Sequence, residues 1–204
     1  VSSFHPVKTI TSGEGGVSFT NDANLSKRMQ ALRTHGIYKN LKNDKQNWRF
    51  DQRELGYNFR ITDIQSALGI SQLKRIKSFI NKRKKISLFY DKCFSESSKI
   101  YPLKLKQGNN STHHLYVVKV SLKKKETRDE LLKFLKEKRI ILNVHYIPVH
   151  YHTYFKNLKY LRKNLKNVEN YFSQAISLPV YPDLTLKQQK YVVKCINSFF
   201  MEQG

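Results

Sequence analysis

The sequence predicts a mixed α/β chain in which a strand-bearing opening segment leads through a long helix into a smaller α+β lobe. Three observations predict it. Residues 1–22 are small, apolar and hydroxyl-rich, with turn chemistry between two short strand patterns. A capping-box spacing at Thr62 opens a helical stripe that continues to about Phe94. Beyond Pro102 the pattern alternates between strand-like and helix-like periodicity.

Residues 1–22 read as a strand end, a Thr/Ser/Gly turn and a second strand, Gly16-Val17-Ser18-Phe19-Thr20, closed by Asn21-Asp22. This is the pattern of a hairpin or sheet edge. Asn24 to His35 reads as a short helix stopped at Gly36, because glycine takes the left-handed conformation that terminates helices. The polar stretch from Tyr38 to Phe50 reads as a loop. In Thr62-Asp63-Ile64-Gln65 the threonine accepts from a backbone N–H while the glutamine reaches back, so a helix starts there. Leu73, Ile76 and Ile80 continue one apolar stripe, and one uninterrupted helix is expected over 61–94, joining a segment 1–60 to a lobe 95–204. In that lobe a strand is expected from Leu115 to Leu122, a helix from Glu126 to Lys138 and a strand from Ile140 to Tyr146. A helix from Val168 to Ile176 and a terminal helix from Lys187 to Phe200 complete it, and Gln107 to Thr112 is turn chemistry.

The 204 residues are 39% hydrophobic, enough for one sizeable core or two small ones. The chain opens on Val1 and a strand and loop follow at once, which suggests a piece of a longer protein. Cys93 and Cys195 lie far apart without CxxC or Cys/His spacing, so neither a disulfide framework nor a metal site is expected. His150 and His152 cluster without a third ligand at useful spacing. No apolar run approaches the roughly 20 residues that span a bilayer, and no charged-then-apolar leader is present. A cytoplasmic protein without membrane attachment is the expectation.

The formal charge of +23 points to an anionic partner when taken alone. Its distribution argues for a solvated surface, since the lysines are spread over ordinary amphipathic segments. Tyr151, Tyr154, Phe155 and Tyr160 do lie among Lys156, Lys159 and Arg162, which keeps a basic nucleic-acid-binding module as the alternative of a different class. Such a module would bind less tightly as salt rises.

Lys8 is the only formally charged side chain among the first thirteen residues, flanked by Pro6, Val7, Thr9, Ile10 and Thr11. A lysine that attacks carbonyls needs neutral surroundings, because desolvation disfavours its ammonium form. A surface lysine at a strand end has the same neighbours. Its company decides between the two readings: Ser3 and His5 precede it, and Gly13-Glu14-Gly15-Gly16 follows, offering hydroxyl and backbone N–H donors suited to a phosphate.

The run Ser3-Phe4-His5-Pro6-Val7-Lys8-Thr9-Ile10-Thr11, then Gly13-Glu14-Gly15-Gly16 and Thr20-Asn21-Asp22, closely resembles the cofactor-lysine segment of the DegT/DnrJ/EryC1/StrS sugar aminotransferases. A second block, Leu55-Gly56-Tyr57-Asn58-Phe59-Arg60 followed by Asp63-Ile64-Gln65-Ser66-Ala67-Leu68-Gly69 and Gln72-Leu73, resembles the same family's next signature. Arg33-Thr34-His35-Gly36, His145-Tyr146-Ile147-Pro148 and Ile176-Ser177-Leu178-Pro179 also have counterparts there, so the resemblance runs over nearly the whole chain. Their wording is most similar to the branch that aminates UDP-linked 4-keto-6-deoxy sugars for pseudaminic acid. Another 4-keto or 3-keto nucleotide-sugar aminotransferase is the alternative within the family. A dehydratase branch carries histidine in place of the lysine, and here the position is Lys8.

The resemblance implies the C-terminal portion of a type I pyridoxal-phosphate transferase fold: 1–60 as the remainder of the large cofactor domain, 61–94 as the connecting helix, and 95–204 as the small C-terminal domain. It implies pyridoxal 5'-phosphate (PLP) as cofactor, with Lys8 holding it covalently and moving protons. By the same resemblance Ser3 binds the cofactor phosphate, and Asn58 reaches that phosphate from the neighbouring subunit of a homodimer with shared active sites. A serine or a turn asparagine would sit at those positions without such roles as well. Arg60 is implied at the substrate diphosphate or a carboxylate near the dimer interface, and His5, His145 and Tyr146 on the substrate side. The implied partners are a nucleotide sugar and glutamate. The family's other cofactor contacts come from an N-terminal half absent from these 204 residues, so the fragment alone is expected to be inactive.

Overall fold

The computed structural model describes residues 1–38, 50–121, 128–156 and 165–202. Most of the expected loop from Tyr38 to Phe50 lies outside them, as do Leu122, the first two residues of the helix expected from Glu126, and Lys159, Tyr160 and Arg162. The chain divides into two compact units, Val1–Ile76 and Lys77–Gly204.

In the first unit, strands β1 (Ser2–Ser3) and β2 (Gly16–Val17) pair antiparallel, Ser2 opposite Val17 and Ser3 opposite Gly16. Helix α1 (Ala23–Leu32) starts where the Asp22 carboxylate accepts from the N–H groups of Asn24 and Leu25 at 2.8 and 3.0 Å. It stops because His35 and Gly36 both take positive φ, 59° and 72°, and the Gly36 N–H bonds the Ala31 carbonyl at 2.9 Å. Strands β3 (Ile37–Tyr38) and β4 (Asp51–Gln52) pair antiparallel. The Glu54 carboxylate then ties these pieces together: it accepts from the Tyr38 hydroxyl at 2.6 Å and from Arg28 at 3.1 Å. Those two donors hold its carboxyl below the usual carboxylate range.

Helix α2 (Asp63–Lys74) opens on the expected capping box, with both Thr62 and Gln65 bonds present. The single helix expected over 61–94 is two. At Arg75 the backbone turns to φ −101°, ψ −1°, and its N–H bonds Gln72 at 3.0 Å, one residue tighter than the α-helical pattern. Helix α3 (Ile76–Phe94) follows and ends where expected.

The second unit is built on an antiparallel sheet of β5 (Ile100–Pro102), β6 (Tyr116–Val120) and β7 (Ala175–Leu178), in that order. Tyr116, Val118 and Val120 of β6 alternate inward, and all four residues of β7 are buried. Helices α3, α4 (Arg128–Glu137) and α7 (Leu186–Glu202) supply most of the rest of the core, with Ile140 and Leu184 beside them. Leu131 and Leu135 of α4 are 0% exposed, each contributing about 2–3 kcal/mol by area. Truncating Leu135 to alanine costs about 2–5 kcal/mol once the cavity is included.

Two expectations change here, and one strand appears that was not expected. The strand expected over 140–146 is one bridge, Asn143 to Ser177, because Ile140 is used to close α4: Arg139 takes φ 60° and the Ile140 N–H bonds the Leu135 carbonyl at 2.8 Å. The helix expected to reach Ile176 ends earlier, as α6 (Lys166–Gln174), and Ile176 belongs to β7. A short apolar run fits either element by periodicity, and burial on both faces makes it a strand. Edge strand β5 carried no alternation to reveal it and ends on Pro102, which an edge tolerates. A short 3₁₀ turn (Val149–Tyr151) and helix α5 (Thr153–Lys156) precede α6.

Candidate functional site

The β1–β2 pair presents a loop whose base is pinned at Phe4. The Phe4 N–H donates to the Gly15 carbonyl at 2.9 Å, and its own carbonyl accepts from the Ser12 N–H at 3.1 Å and the Thr11 hydroxyl at 2.9 Å. Above this base, His5-Pro6-Val7-Lys8 forms a turn closed by the Lys8 N–H on the His5 carbonyl at 3.0 Å, with proline in the position its fixed φ suits. Ser12 is buried and its hydroxyl donates to the Glu14 carbonyl at 2.7 Å. Gly13 and Gly15 take φ of 83° and 141°, and Gly16 lies so near β1 that a Cβ would stand 2.9 Å from the Ser2 carbonyl.

Lys8 is half-buried in this turn, and among the described residues its amine has no hydrogen bond or ion pair. This leaves a side-chain nitrogen available for chemistry, held in a turn that carries no other formally charged side chain. Ser3 is exposed; its Oγ accepts from the His5 N–H at 3.3 Å, so its hydroxyl hydrogen remains to be donated. The His5 ring faces Glu14 at 3.7 Å across the loop. Glu14 was overlooked as a partner of His5, because the contact spans a loop whose closure depends on Phe4.

Asn58 and Arg60 lie on the extended segment after Gly56, both exposed. That segment is stitched to the end of α1: Tyr57 N–H to Leu32 at 2.7 Å, His35 N–H to Tyr57 at 2.9 Å and Phe59 N–H to Arg33 at 2.9 Å. The rings of Tyr57 and Phe59 stack with centroids 4.6 Å apart. Arg60 lines a cleft of about 910 Å³ with Glu14, Gly16, Arg33, Tyr57 and Phe59, and Lys8 is not among its lining residues. His5 and Lys8 therefore share one turn, with Ser3 at the end of β1 bonded to its first residue, while Asn58 and Arg60 stand on a separate segment of the same unit.

His145 and Tyr146 belong to the second unit. His145 Nδ1 stands 2.7 Å from the Ser177 hydroxyl of β7, and the edge of its ring meets Tyr146 with centroids 4.6 Å apart. Tyr146 is exposed. Ser177 was quoted only as part of a family block; strand alternation alone gives no sign that it meets a histidine 32 residues away.

His150, set aside above as a metal ligand, bonds Glu169 at 3.3 Å. Among the described residues no group of three His, Cys, Asp or Glu side chains is placed to hold a metal ion. Of the aromatics considered for nucleic acid, Tyr151 packs edge-on against Phe172 at 6.1 Å, while Tyr154 is exposed. Cys93 and Cys195 are free thiols.

A model of the DegT/DnrJ/EryC1/StrS aminotransferase family matches residues 1–197. The UDP-4-amino-4,6-dideoxy-N-acetyl-beta-L-altrosamine transaminase of Campylobacter jejuni is 36% identical over 190 residues, which cover 93% of this chain and 49% of that protein. Among solved structures, Helicobacter pylori PseC, an aminotransferase involved in the biosynthesis of pseudoaminic acid, matches with a TM-score of 0.89 at 32% identity, covering 98% of this chain and 52% of the other. The PMP-form of the putative sugar aminotransferase Spr1654 from Streptococcus pneumoniae gives 0.83 at 30% identity, covering 96% and 51%. The chain spans about half the length of the relatives it matches.

Proposed function

Because this chain belongs to the DegT/DnrJ/EryC1/StrS aminotransferase family, we propose that the polypeptide containing it is a PLP-dependent transaminase that moves an amino group from glutamate to C4 of a UDP-linked 4-keto-6-deoxy sugar. One observation carries the reading: a family match over residues 1–197 that includes Lys8, whose amine lies in a neutral turn without a partner among the described residues.

The residues of the turn fit the cofactor. A lysine nitrogen free of ion pairs suits covalent attachment to an aldehyde, and Ser3 keeps a hydroxyl hydrogen for a phosphate oxygen. When bound, PLP supplies the electron sink that lets an amino group pass from donor to keto sugar. Lys8 holds the cofactor and carries the proton that C4 of the sugar gains as it receives nitrogen. Asn58 meets the phosphate held by a second copy of the chain, which makes the working unit a homodimer. Arg60 neutralises a phosphate of the nucleotide, and His5, His145 and Tyr146 contact the sugar. A cytoplasmic setting goes with these reactants; no helix among the described residues is long and apolar enough to cross a membrane.

The test uses the full polypeptide that contains these residues. Incubation with PLP, borohydride reduction and peptide mapping should place one pyridoxyl group on Lys8. Mass spectrometry should then show a 4-amino product from glutamate and the UDP-4-keto sugar. A folded protein with no adduct on Lys8 would overturn the cofactor role, and an adduct without sugar product would overturn the substrate.

A further inference from the structure

The two units differ in what they bury. Every member of the described hydrophobic core belongs to the second unit, and in the first Ala31 is the only buried hydrophobic side chain among the described residues. Helix α2 has no buried residue. At about 3.6 residues per turn, Ile64 and Leu68 lie on one side of it and Ile70 and Leu73 on the other, and Ile64 and Ile70 are 85% and 57% exposed. A helix apolar on opposite sides is one that other elements enclose.

The β1–β2 pair is equally incomplete. It has two residues on each strand, and neither strand pairs with a third among the described residues. A ribbon of that size needs further strands or a packed face to persist in water. The cleft of about 910 Å³ in the same unit is walled by Val17 of β2, Met29 and Leu32 of α1, and Tyr57, Phe59 and Ile61. Arg33 lines it too, and its guanidinium has no hydrogen bond or ion pair among the described residues. Whatever fills the cleft takes water from that charge, so it has to bring an acceptor as well as apolar side chains.

The relatives matched are about twice as long as this chain, so the full polypeptide has about as many residues again to supply an occupant. We propose that the first unit is one part of a core shared with the segment that precedes Val1 in that polypeptide. The segment extends the β1–β2 pair with further strands, fills the cleft between β2, α1 and residues 57–61 with apolar side chains, and sets an acidic group against Arg33. The second unit closes its core from its own residues. A second copy of the chain fits the cleft less well, because a two-fold partner presents the same hollow and the same unpaired arginine. The inference rests on the length of the relatives and not on the amino-transfer reaction.

The experiment takes the full polypeptide, without cofactor or substrate, carrying p-benzoylphenylalanine in place of Met29. Irradiation should join position 29 to a peptide that precedes Val1, in a product of monomer mass whose yield holds over about a hundredfold dilution. Wild type supplies a second readout, since Met29 and Met201 are the two methionines of these residues and Met201 is 80% exposed. Peroxide should oxidise Met201 at least about tenfold faster than Met29. A cross-linked product of dimer mass that fades on dilution would make a second copy the occupant and overturn the inference. So would a Met29 oxidised as fast as Met201, which would leave the cleft open to solvent. If Lys8 takes up no cofactor, the proposed function fails while the cross-link still decides what fills the cleft.

Discussion

Gly36 and Glu54 approach so closely that a Cβ on Gly36 would stand 1.8 Å from the Glu54 carbonyl oxygen. Gly56 completes the contact from the other side, since a Cβ there would stand 2.1 Å from the Gly36 nitrogen. The two glycines let the end of α1 and the Leu55–Arg60 segment run backbone to backbone, which sets where Asn58 and Arg60 begin. Gly36 also needs its φ of 72°. Gly36→Ala and Gly56→Ala should each cost about 3 kcal/mol or more, seen as a lower urea midpoint and faster proteolysis within residues 1–76. Gly13→Ala is the control: its φ of 83° strains alanine, but nothing lies within 4 Å, so about 1 kcal/mol is expected.

This contact shows what was legible in the sequence. Gly36 could be read as a helix stop and Thr62 with Gln65 as a helix start, because both act on neighbours in the chain. The approach of Gly36 to Glu54, the use of Ile140 to close α4 and the meeting of Ser177 with His145 join distant residues, and no local pattern encodes them. The break at Arg75 has no glycine or proline to announce it. Lys8 could be singled out in the sequence for the opposite reason: a neutral stretch in a basic chain is itself a local pattern.

Tyr90 and Tyr116 should make the fold sensitive to alkali. Burial raises both hydroxyls above their ordinary range, and for Tyr116 the bond to Asp91 at 2.6 Å adds to it. The folded state then keeps protons that the unfolded chain releases near pH 10. Their contribution is complete below about pH 10 and is lost as pH rises further. Urea midpoints should hold level to about pH 9 and fall beyond about pH 10. Tyr116→Phe should lose about 1 kcal/mol at neutral pH and flatten that fall.

Arg83 has an unusual set of partners for a buried guanidinium. It is 6% exposed, and one of its nitrogens donates to the carbonyls of His113, His114 and Val180 at 3.5, 3.2 and 2.6 Å. Burial lowers its pKa, yet an arginine stays protonated at any ordinary pH. Arg83→Met strips donors from carbonyls at two chain segments and should cost about 2–4 kcal/mol by urea titration. Lys82→Ala, beside it, breaks only an exposed pair with Asp183, and the midpoint should shift by less than about 0.5 kcal/mol equivalent. Equal losses in the two variants would mean that the carbonyl contacts stabilise nothing.

Lys8 should separate chemistry from stability more cleanly than any other position. Its amine has no partner among the described residues, so Lys8→Ala removes no contact that holds the loop. The loop is carried instead by Phe4, Thr11 and Ser12. In the full polypeptide the urea midpoint should match wild type to about 0.5 kcal/mol, while turnover falls by at least about 10²–10⁴-fold. Added methylamine should recover part of the rate, because a small amine can take up proton transfer at the vacated place. A stability loss as large as the activity loss would instead make Lys8 a structural residue, and the neutral turn around it a packing feature.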